Sequence, residues 1–227
     1  MKSKTIAIIP ARGGSKRLPN KNILLLNAIP LVAHSILYAL TNKEIIDEVY
    51  VSTNDEEIKQ IAIQFGAKVI DRPDNISGDF EPTVSALRHV LETIDNNVEN
   101  IILLQPTNPL RPKNLLKNCF EIYTNDNFDS LVTVTRNHQK FGKIQDQKFL
   151  SYNYEIGQRS QDLEPLYFEN GLLYITKRKN ILNDVIISEN AFPYIENHIF
   201  AHVDIDTQED FNYAEYLIKN TKNDLII

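Results

Sequence analysis

Short apolar segments alternate with amphipathic ones over the first 135 residues, and this alternation limits the possible folds more than any other feature. Runs of strand length and composition occupy residues 5–9, 48–52, 68–70, 100–104 and 130–134. Segments whose apolar residues recur at helical spacing lie between them, at residues 31–40, 58–65, 82–94 and 113–123. Strand–helix alternation predicts an α/β fold with a mostly parallel sheet and helices on both faces.

The pattern loosens between about residues 136 and 200, where polar and aromatic residues mix with little helical period. We interpret this part as antiparallel strands and loops that complete a site or form an oligomer contact. Residues 199–203 are predicted to return to the sheet as a strand, and residues 207–218 to form a closing amphipathic helix. Since the sequence contains no repeat and no linker, we expect one domain over residues 1–227.

Composition narrows the classes of partner. A net charge of −6 over 227 residues argues against nucleic acid, which requires a broad basic face. The single cysteine, Cys119, excludes an internal disulfide and lies in an apolar helical pattern typical of a core residue. No apolar run approaches the roughly 20 residues that span a bilayer, and residues 1–5 lead into the first strand without a signal peptide's apolar region. We therefore expect a cytoplasmic protein with no membrane partner.

The first predicted strand breaks at Pro10 into a loop, residues 11–22, that we name the basic loop. Glycines allow the backbone to approach a ligand closely, and cations neutralise phosphate charge. Neither the Walker A spacing nor the dinucleotide fingerprint is present. A glycine turn with solvated lysines is the alternative, but four cations crowded into an acidic chain favour a phosphate site at the carboxyl end of a strand. The loop contains no acid; its glycines and cations are Gly13, Gly14, Arg12, Lys16, Arg17 and Lys21.

Two carboxylates near the end of the chain, Asp204 and Asp206, flank Ile205. On the end of a strand, residues two apart point to the same face, so these side chains converge while the isoleucine is buried. Two converging carboxylates together with phosphate oxygens form the hard-oxygen set that Mg²⁺ prefers. The alternatives are a solvated acidic strand end, or Asp206 as the cap of a helix that begins near Thr207.

Residues 10–22, Pro-Ala-Arg-Gly-Gly-Ser-Lys-Arg-Leu-Pro-Asn-Lys-Asn, resemble the signature of the sugar-activating cytidylyltransferases, and more narrowly of the CMP-N-acylneuraminate synthetases. Four further segments match that family in the expected order and extend the resemblance over nearly the whole chain. They are Arg72-Pro with Asp79, Thr83 and Ser85; residues 104–111, Leu-Gln-Pro-Thr-Asn-Pro-Leu-Arg; residues 159–175; and residues 204–211.

The resemblance implies a nucleotide-diphospho-sugar transferase fold, which is GT-A-like and Rossmann-like, with residues 136–200 as a small antiparallel dimerisation excursion. It implies a homodimer that joins a nine-carbon 2-keto sugar acid to CMP, using CTP and Mg²⁺ and releasing pyrophosphate. It also assigns catalysis to Arg12, Lys21, Asp204 and Asp206, with the two acids as metal ligands. The nucleotide-binding residues implied are Arg12, Gly14, Ser15, Lys21, Asn22, Arg72, Thr83, Ser85, Gln105 and Thr107.

Within that set, Gln105 matches a residue that reads the base edge, and Arg72 matches an arginine near the cytosine. A side-chain amide carries both a donor and an acceptor, as the edge of a pyrimidine requires. Gln105 also follows an apolar strand directly, which places it at the carboxyl rim of the sheet. Thr83, Ser85 and Thr107 are weaker candidates, because each hydroxyl could instead cap a helix or a turn.

The sugar acid would bind in the less regular segment. Lys143 and Arg159 are candidates for its carboxylate, since an arginine fork matches that group, and Lys140 competes with Lys143. Asn170 and Tyr174 fall in a segment that lines the sugar pocket in the family. Many sialic acid enzymes carry a basic residue two positions before that asparagine, where this chain has Phe168. This departure leaves room for a related acid, such as legionaminic acid.

Two other functions compete with this hypothesis. A 3-deoxy-manno-octulosonate cytidylyltransferase shares the fold and chemistry, but its basic loop usually lacks Gly-Gly-Ser and the following Pro-Asn-Lys-Asn. A catalytically inactive CTP-binding regulator is the alternative from another class. The intact Lys21, Asp204 and Asp206 favour an active enzyme.

Overall fold

A computed structural model of the chain describes residues 3–94 and 97–221. In this part of the chain seven strands form one sheet: β1 (Lys4–Pro10), β4 (Glu48–Thr53), β5 (Lys68–Asp71), β6 (Val98–Leu103), β7 (Ser130–Arg136), β10 (Tyr167–Lys177) and β11 (Ala191–Ile195). Two short antiparallel pairs lie outside it: β2 (Leu25–Leu26) with β3 (Ile29–Pro30), and β8 (Gly142–Gln145) with β9 (Lys148–Ser151). We name the second pair the outer hairpin.

The strand order is β11-β7-β10-β6-β1-β4-β5. The pairs β1–β4, β1–β6, β4–β5 and β7–β11 are parallel, whereas β10 is antiparallel to both of its neighbours. The prediction of a mostly parallel sheet with small antiparallel additions is therefore confirmed. The helices are α1 (Leu31–Thr41), α2 (Glu56–Gln64), α3 (Thr83–Thr93), α4 (Leu115–Asn125), α5 (Arg178–Leu182) and α6 (Gln208–Asn220).

Both faces of the central strand β1 are covered. Ile6 and Ile8 pack into an apolar cluster with α3 and α5, whereas Ala7 and Ile9 face a second cluster with α1, α2 and α4. This is why β1 consists of consecutive apolar residues rather than alternating ones. Helices lie on both faces of the sheet, as predicted, and Cys119 of α4 is a fully buried core residue.

Helix α6 packs in a third cluster with the 3-10 turn Ile199–His202, where the sequence predicted a returning strand. That prediction is wrong. The ring of His198 accepts a hydrogen bond from the backbone N–H of Phe200, and Phe200 is fully buried, so local capping and burial of one aromatic ring favour a turn. Helix α6 itself is confirmed: Thr207 and Asp210 form a capping box at its start.

Helix α2 begins two residues before the predicted position, because the Asp55 side chain accepts hydrogen bonds from the backbone N–H groups of Glu57 and Ile58. Helix α4 lies two residues further along the chain than predicted at both ends. In the described ranges, no helix combines the length and the apolar character needed to cross a membrane.

The loops after β1, β4 and β6 emerge from parallel strands and therefore meet at one edge of the sheet, the carboxyl edge. Because β10 runs in the opposite direction, its first residues reach the same edge: Tyr167 pairs with Arg136, the last residue of β7. This edge collects the polar side chains that the sequence singles out.

Candidate active site

Two glycines shape the basic loop. Gly14 has φ +69, a conformation that side chains rarely adopt, and a Cβ on Gly13 would lie 2.9 Å from Oδ2 of Asp55. The backbone N–H of Gly13 donates to Oδ1 of Asn54 at 3.0 Å. The start of α2 thus packs directly against Gly13, where a side chain would push the loop away from it, whereas at Gly14 the positive φ is what disfavours a side chain.

The four cations of the basic loop form two groups, each centred on one carboxylate. Asp79 pairs with Nη2 of Arg12 at 2.8 Å and with Nζ of Lys16, and these cations hold the pKa of the Asp79 carboxyl below its usual value. Asp206 pairs with Nη2 of Arg17 and with Nζ of Lys21, both at 2.7 Å. Lys16 and Arg17, to which the sequence assigned no role, therefore belong to the same cationic surface as Arg12 and Lys21.

Lys21 and Asn22 lie on the 3-10 turn Lys21–Ile23, and both are buried. Besides its pairing with Asp206, Nζ of Lys21 donates to the carbonyl of Ile205 at 2.7 Å. Nδ2 of Asn22 donates to the carbonyl of Arg12 at 3.0 Å. Lys21 thus ties the start of the chain to the acid pair near its end, whereas Asn22 holds the basic loop together from within.

On the other side of the pocket, Arg72 and Gln105 approach from the ends of β5 and β6. Nε and Nη2 of Arg72 donate to Oγ and to the carbonyl of Ser52, at 3.1 and 2.6 Å. Burial lowers the pKa of Arg72 to about 10. The carbonyl of Gln105 accepts a hydrogen bond from Nη2 of Arg111 at 2.9 Å, which fixes the backbone from which the Gln105 amide projects.

Two pockets that share Arg12, Ser15 and Lys21 open between these elements. One, of about 180 Å³, has walls that mix uncharged polar side chains with charged ones; the other, of about 360 Å³, has mostly charged walls that include Asp79 and Asp206. Their shape and lining suit a long ligand with a hydrogen-bonding end and a polyanionic end, as a nucleoside triphosphate has. The first is lined by Asn22, Arg72, Thr83, Gln105 and Thr107, and the second by Lys16 and Arg17.

The acid pair lies after the 3-10 turn in irregular backbone outside the sheet, not at a strand end. The predicted alternation still holds: Ile205 is fully buried between the more accessible Asp204 and Asp206. Thr207, not Asp206, caps α6, so the capping alternative for Asp206 is wrong.

The donor chemistry of this pair fits Mg²⁺. Partial burial raises the pKa of the Asp204 carboxyl, and the neighbouring Asp206 carboxylate acts in the same direction, whereas a hydrogen bond with Thr107 and the charge of Lys21 act against it. In the described ranges Asp204 forms no ion pair within 4.0 Å, and no group of three or more metal-ligating side chains occurs. Two carboxylates could therefore hold the ion, with further ligands supplied by phosphate oxygens and water.

Some predicted site residues lie away from the two pockets. The hydroxyl of Ser85 donates to Oε2 of Glu81 at 3.5 Å, and Gly14 lines two neighbouring pockets, one of them shared with Lys21 and Asn22. Lys143 lies on the outer hairpin with Nζ over the ring of Tyr152, and Arg159 is exposed and paired with Asp162 at 2.7 Å. The chain by itself does not bring Lys143 or Arg159 to the nucleotide pockets.

Asn170 and Tyr174, both on β10, are buried. The amide of Asn170 is engaged inside the sheet, where it contacts the hydroxyls of Thr133 and Thr135 at 2.6 and 3.0 Å. Tyr174 donates its hydroxyl to Oε2 of Glu169 at 3.2 Å and also contacts the side chain of Gln105. Of the predicted sugar-binding residues, Tyr174 is thus the one placed beside a nucleotide residue.

A separate cleft of about 860 Å³ lies between the start of β10 and the outer hairpin. It is largely aromatic and also contains two histidines: its walls include Phe141, Tyr152, Tyr167, Phe168, His138 and His202. Phe168, the residue that departs from the sialic acid pattern, packs against His202 with ring centroids 5.9 Å apart.

Sequence reasoning missed the roles of Asp79 and Arg111. Asp79 was noted as part of a matching segment, but its ion pairs depend on how the loop after β5 folds over the basic loop. Arg111 is fully buried, pairs with no carboxylate among residues 3–94 and 97–221, and donates to the carbonyls of Leu172 and Gln105 at 2.6 and 2.9 Å. The arginine that closes the matching segment 104–111, six residues after Gln105, is the local signal that could have suggested this support.

Fold and pockets together define an α/β enzyme that handles a nucleotide. The family model described as cytidylyltransferase matches residues 6–226, so the chain belongs to the cytidylyltransferase family of nucleotidyltransferases. The resemblance noted from the sequence is therefore confirmed.

Three relatives illustrate the similarity. A pseudaminic acid cytidylyltransferase of Campylobacter jejuni is 33% identical over 95% of this chain and 97% of its own. A CMP-N,N'-diacetyllegionaminic acid synthase of Legionella pneumophila is 32% identical over 98% of this chain and 100% of its own. An N-acylneuraminate cytidylyltransferase of Streptococcus agalactiae is 30% identical over 97% of this chain, which spans only 56% of that relative.

Among solved structures, a CMP:2-keto-3-deoxy-manno-octonic acid synthetase complexed with CTP matches with a TM-score of 0.72. The match covers 96% of this chain and 99% of that one at 18% identity. At this identity the match supports the fold, and it confirms the predicted nucleotidyltransferase architecture.

Proposed function

We propose that this chain transfers CMP from CTP to a nine-carbon 2-keto sugar acid and releases pyrophosphate. The observation that carries the proposal is the pair of connected pockets at the carboxyl edge, one bearing an amide at Gln105 and the other the cations of the basic loop. Two relatives matched over nearly their full length are named for pseudaminic and legionaminic acids, which supports a sugar acid of that class.

The reaction is an in-line displacement at the α-phosphorus of CTP. The anomeric hydroxyl oxygen of the sugar acid forms a bond to phosphorus while the bond to the oxygen bridging the β-phosphorus breaks. Pyrophosphate leaves with that electron pair, and the hydroxyl proton passes to solvent or a base. Arg12 and Lys21 stabilise the charge on the departing pyrophosphate, and Gln105 orients the base, since positioning and charge stabilisation dominate phosphoryl-type transfer.

Asp204 and Asp206 are proposed to hold Mg²⁺. When bound there, the ion would neutralise phosphate charge and lower the pKa of the attacking hydroxyl. Lys21 contacts both Asp206 and the backbone next to Asp204, so it keeps the acid pair close to the phosphate pocket.

A homodimer is proposed from the outer hairpin. Three of its large apolar side chains are exposed, and Ile144 keeps 82% of its surface accessible. Exposed apolar groups concentrated on one projecting element are typical of a protein contact. The other two are Phe149 and Leu150, and the exposed residues Phe141, Tyr152 and Ile156 lie close by in sequence.

Pyrophosphate release tests the proposed reaction. The enzyme is incubated with CTP, Mg²⁺ and, in turn, N-acetylneuraminate, a legionaminic acid, a pseudaminic acid and 3-deoxy-manno-octulosonate. We expect release with one nine-carbon acid and its loss in Asp204→Ala, with Glu121→Gln as an exposed control on α4. Release with the octulosonate alone would replace the proposed substrate, and CTP binding without release with any acid would favour the inactive regulator.

A further inference from the structure

Asn108 is a buried asparagine that connects three segments around the site. It is 2% exposed, and its Nδ2 donates to the carbonyl of Asn170 at 3.1 Å and to that of Val203 at 2.8 Å. Its Oδ1 accepts from the hydroxyl of Thr107 at 3.1 Å. One amide therefore joins the loop after β6, strand β10 and the backbone that immediately precedes Asp204.

Gly171 on β10 is shaped to receive this amide. A Cβ at this position would lie 2.5 Å from Oδ1 of Asn108 and 2.8 Å from its Nδ2, and the glycine has φ +73. Both the backbone conformation and the close approach exclude a side chain. The pairing register between β10 and β7 also shifts in this stretch, between Glu169 and Tyr174, so the strand bends where the amide contacts it.

The acid pair depends on such hydrogen bonds because its backbone belongs to no strand of the described chain. The N–H of Ile205 donates to the carbonyl of Thr107 at 2.8 Å, and the carbonyl of Ile205 accepts from Lys21. Asn108 supplies the third tie, one residue before Asp204. Without it, two buried carbonyls lose their donor, and relaxation of the backbone to reach water would move the acids.

We propose that Asn108 is a positioning residue that fixes Asp204 and Asp206 relative to the loop bearing Gln105 and Thr107. It touches no reacting atom; it acts through the backbone of Val203. The inference rests on the proposed function, because it concerns the same nucleotide and acid sites. It extends that function by naming the hydrogen bonds that hold the base-binding side and the carboxylate side of the site at a fixed distance from each other.

Asn108→Ala is the primary test, with Asn42→Ala as the matched control. Asn42 is also a buried asparagine, 5% exposed, and its Nδ2 donates to the carbonyl of Tyr38 at 2.8 Å at the far end of α1. We expect Asn108→Ala to lower kcat by about 10- to 100-fold, since a displacement of about 1 Å in a site has effects of that order. KM for CTP should change by less than about 3-fold, because the base and phosphate contacts remain.

A second readout does not require turnover. Binding of Mn²⁺ to the enzyme–CTP complex, measured by electron paramagnetic resonance, should weaken by about 10-fold in Asn108→Ala, as for other residues that orient metal ligands. Asn42→Ala should lower the melting temperature by a similar amount while leaving kcat and Mn²⁺ affinity unchanged. Should Asn108→Ala fail to fold, Asn108→Ser retains one hydroxyl donor and is measured in the same way.

Gly171→Ala tests the contact from the other side. Its Cβ would displace the Asn108 amide, so the same loss of kcat and Mn²⁺ affinity is expected. The double variant Asn108→Ala/Gly171→Ala should be less impaired than the product of the two single effects, because the clash is absent once the amide is removed. Gly171→Ala introduces the strain of a positive φ whether residue 108 is asparagine or alanine, so this strain cancels in the comparison.

Equal kcat and Mn²⁺ affinity in Asn108→Ala and Asn42→Ala would overturn the inference, as would independent effects of Asn108→Ala and Gly171→Ala. Failure of the proposed function gives a different result. In that case the wild-type enzyme releases no pyrophosphate with any acid of the panel, whichever residue stands at position 108.

Discussion

The nucleotide side and the sugar side of this site are built from different kinds of contact. On the nucleotide side, Lys21, Arg72 and Arg111 are buried, and each donates to backbone carbonyls of other segments of the chain. On the proposed sugar side, Lys143 and Arg159 are exposed, and Lys143 contacts Tyr152 while Arg159 contacts Asp162. The residues proposed to bind the nucleotide thus lie within one chain, whereas the outer hairpin presents apolar side chains and cations to the outside.

We therefore expect the proposed sugar side to be completed by a second copy of the chain or by the sugar acid itself. Buried cations with satisfied hydrogen bonds are held in one geometry before the substrate arrives, which favours charge stabilisation. Exposed cations gain a fixed geometry only when a partner or ligand supplies the opposing groups.

The largest effect is expected for Lys21→Met. The change keeps the length of the side chain but removes a cation from the phosphate pocket and leaves Asp206 with Arg17 alone. We expect kcat/KM for CTP to fall by about 10³-fold, the upper range for loss of one charge-stabilising group. Lys16→Met, at a side chain that is 77% exposed, is the control and should cost far less. Equal losses of kcat/KM in Lys21→Met and Lys16→Met would mean that burial of Lys21 is unimportant, and would contradict the contrast between buried and exposed cations.

Arg159→Ala tests the sugar side. If the arginine binds the carboxylate of the sugar acid, KM for that acid should rise by about 10- to 100-fold, the range for a hydrogen bond to a charged group. KM for CTP should not change. The ion pair with Asp162 is exposed, so the free energy of unfolding should change by less than about 1 kcal/mol. KM for the sugar acid, measured in Lys143→Ala and in Lys140→Ala, identifies which lysine binds the carboxylate together with Arg159.

The double change Ile144→Glu/Phe149→Glu tests the proposed dimer contact. Placing two carboxylates on the exposed face of the outer hairpin should halve the mass measured by sedimentation, because burying an unpaired charge is costly. CTP binding should stay within about 2-fold of wild type, since the hairpin lines neither nucleotide pocket. A monomeric wild-type protein at micromolar concentration would remove the basis of this proposal.

The smallest effect is expected for Asp79→Asn. Its carboxylate holds Arg12 and Lys16 where phosphates are proposed to bind, so its neutralisation should tighten CTP binding by about 2- to 5-fold, as for exposed ion pairs. Since Lys16 and Arg12 lower the pKa of Asp79, the carboxylate stays charged at neutral pH. The difference from wild type should be constant between about pH 5 and 8 and decline only as the pH falls through that lowered pKa. CTP binding is measured by titration calorimetry, with Asp74→Asn, in the same loop, as the control.

The sequence was sufficient for the parts of the molecule that local chemistry determines. Consecutive apolar residues defined β1, and Gly13, Gly14 and the adjacent cations defined the basic loop beside it. Tertiary contacts decided the rest. The run at 199–203 has the composition of a strand, but the His198 cap and the burial of Phe200 turned it into a 3-10 turn. The pairing of Asp79 with Arg12 joins residues 67 positions apart, and no local pattern indicates it.

The antiparallel direction of β10 has an evolutionary consequence. Residues 137–166 leave the sheet after Arg136 and return beside it at Tyr167, and their ends are closed by a hydrogen bond from the N–H of Asn137 to the carbonyl of Leu166 at 2.8 Å. A segment with adjacent ends can be exchanged without altering the registers of the core strands. This part of the chain is therefore a natural unit for chimaeras between relatives, in which acceptor preference could change while nucleotide chemistry is inherited intact.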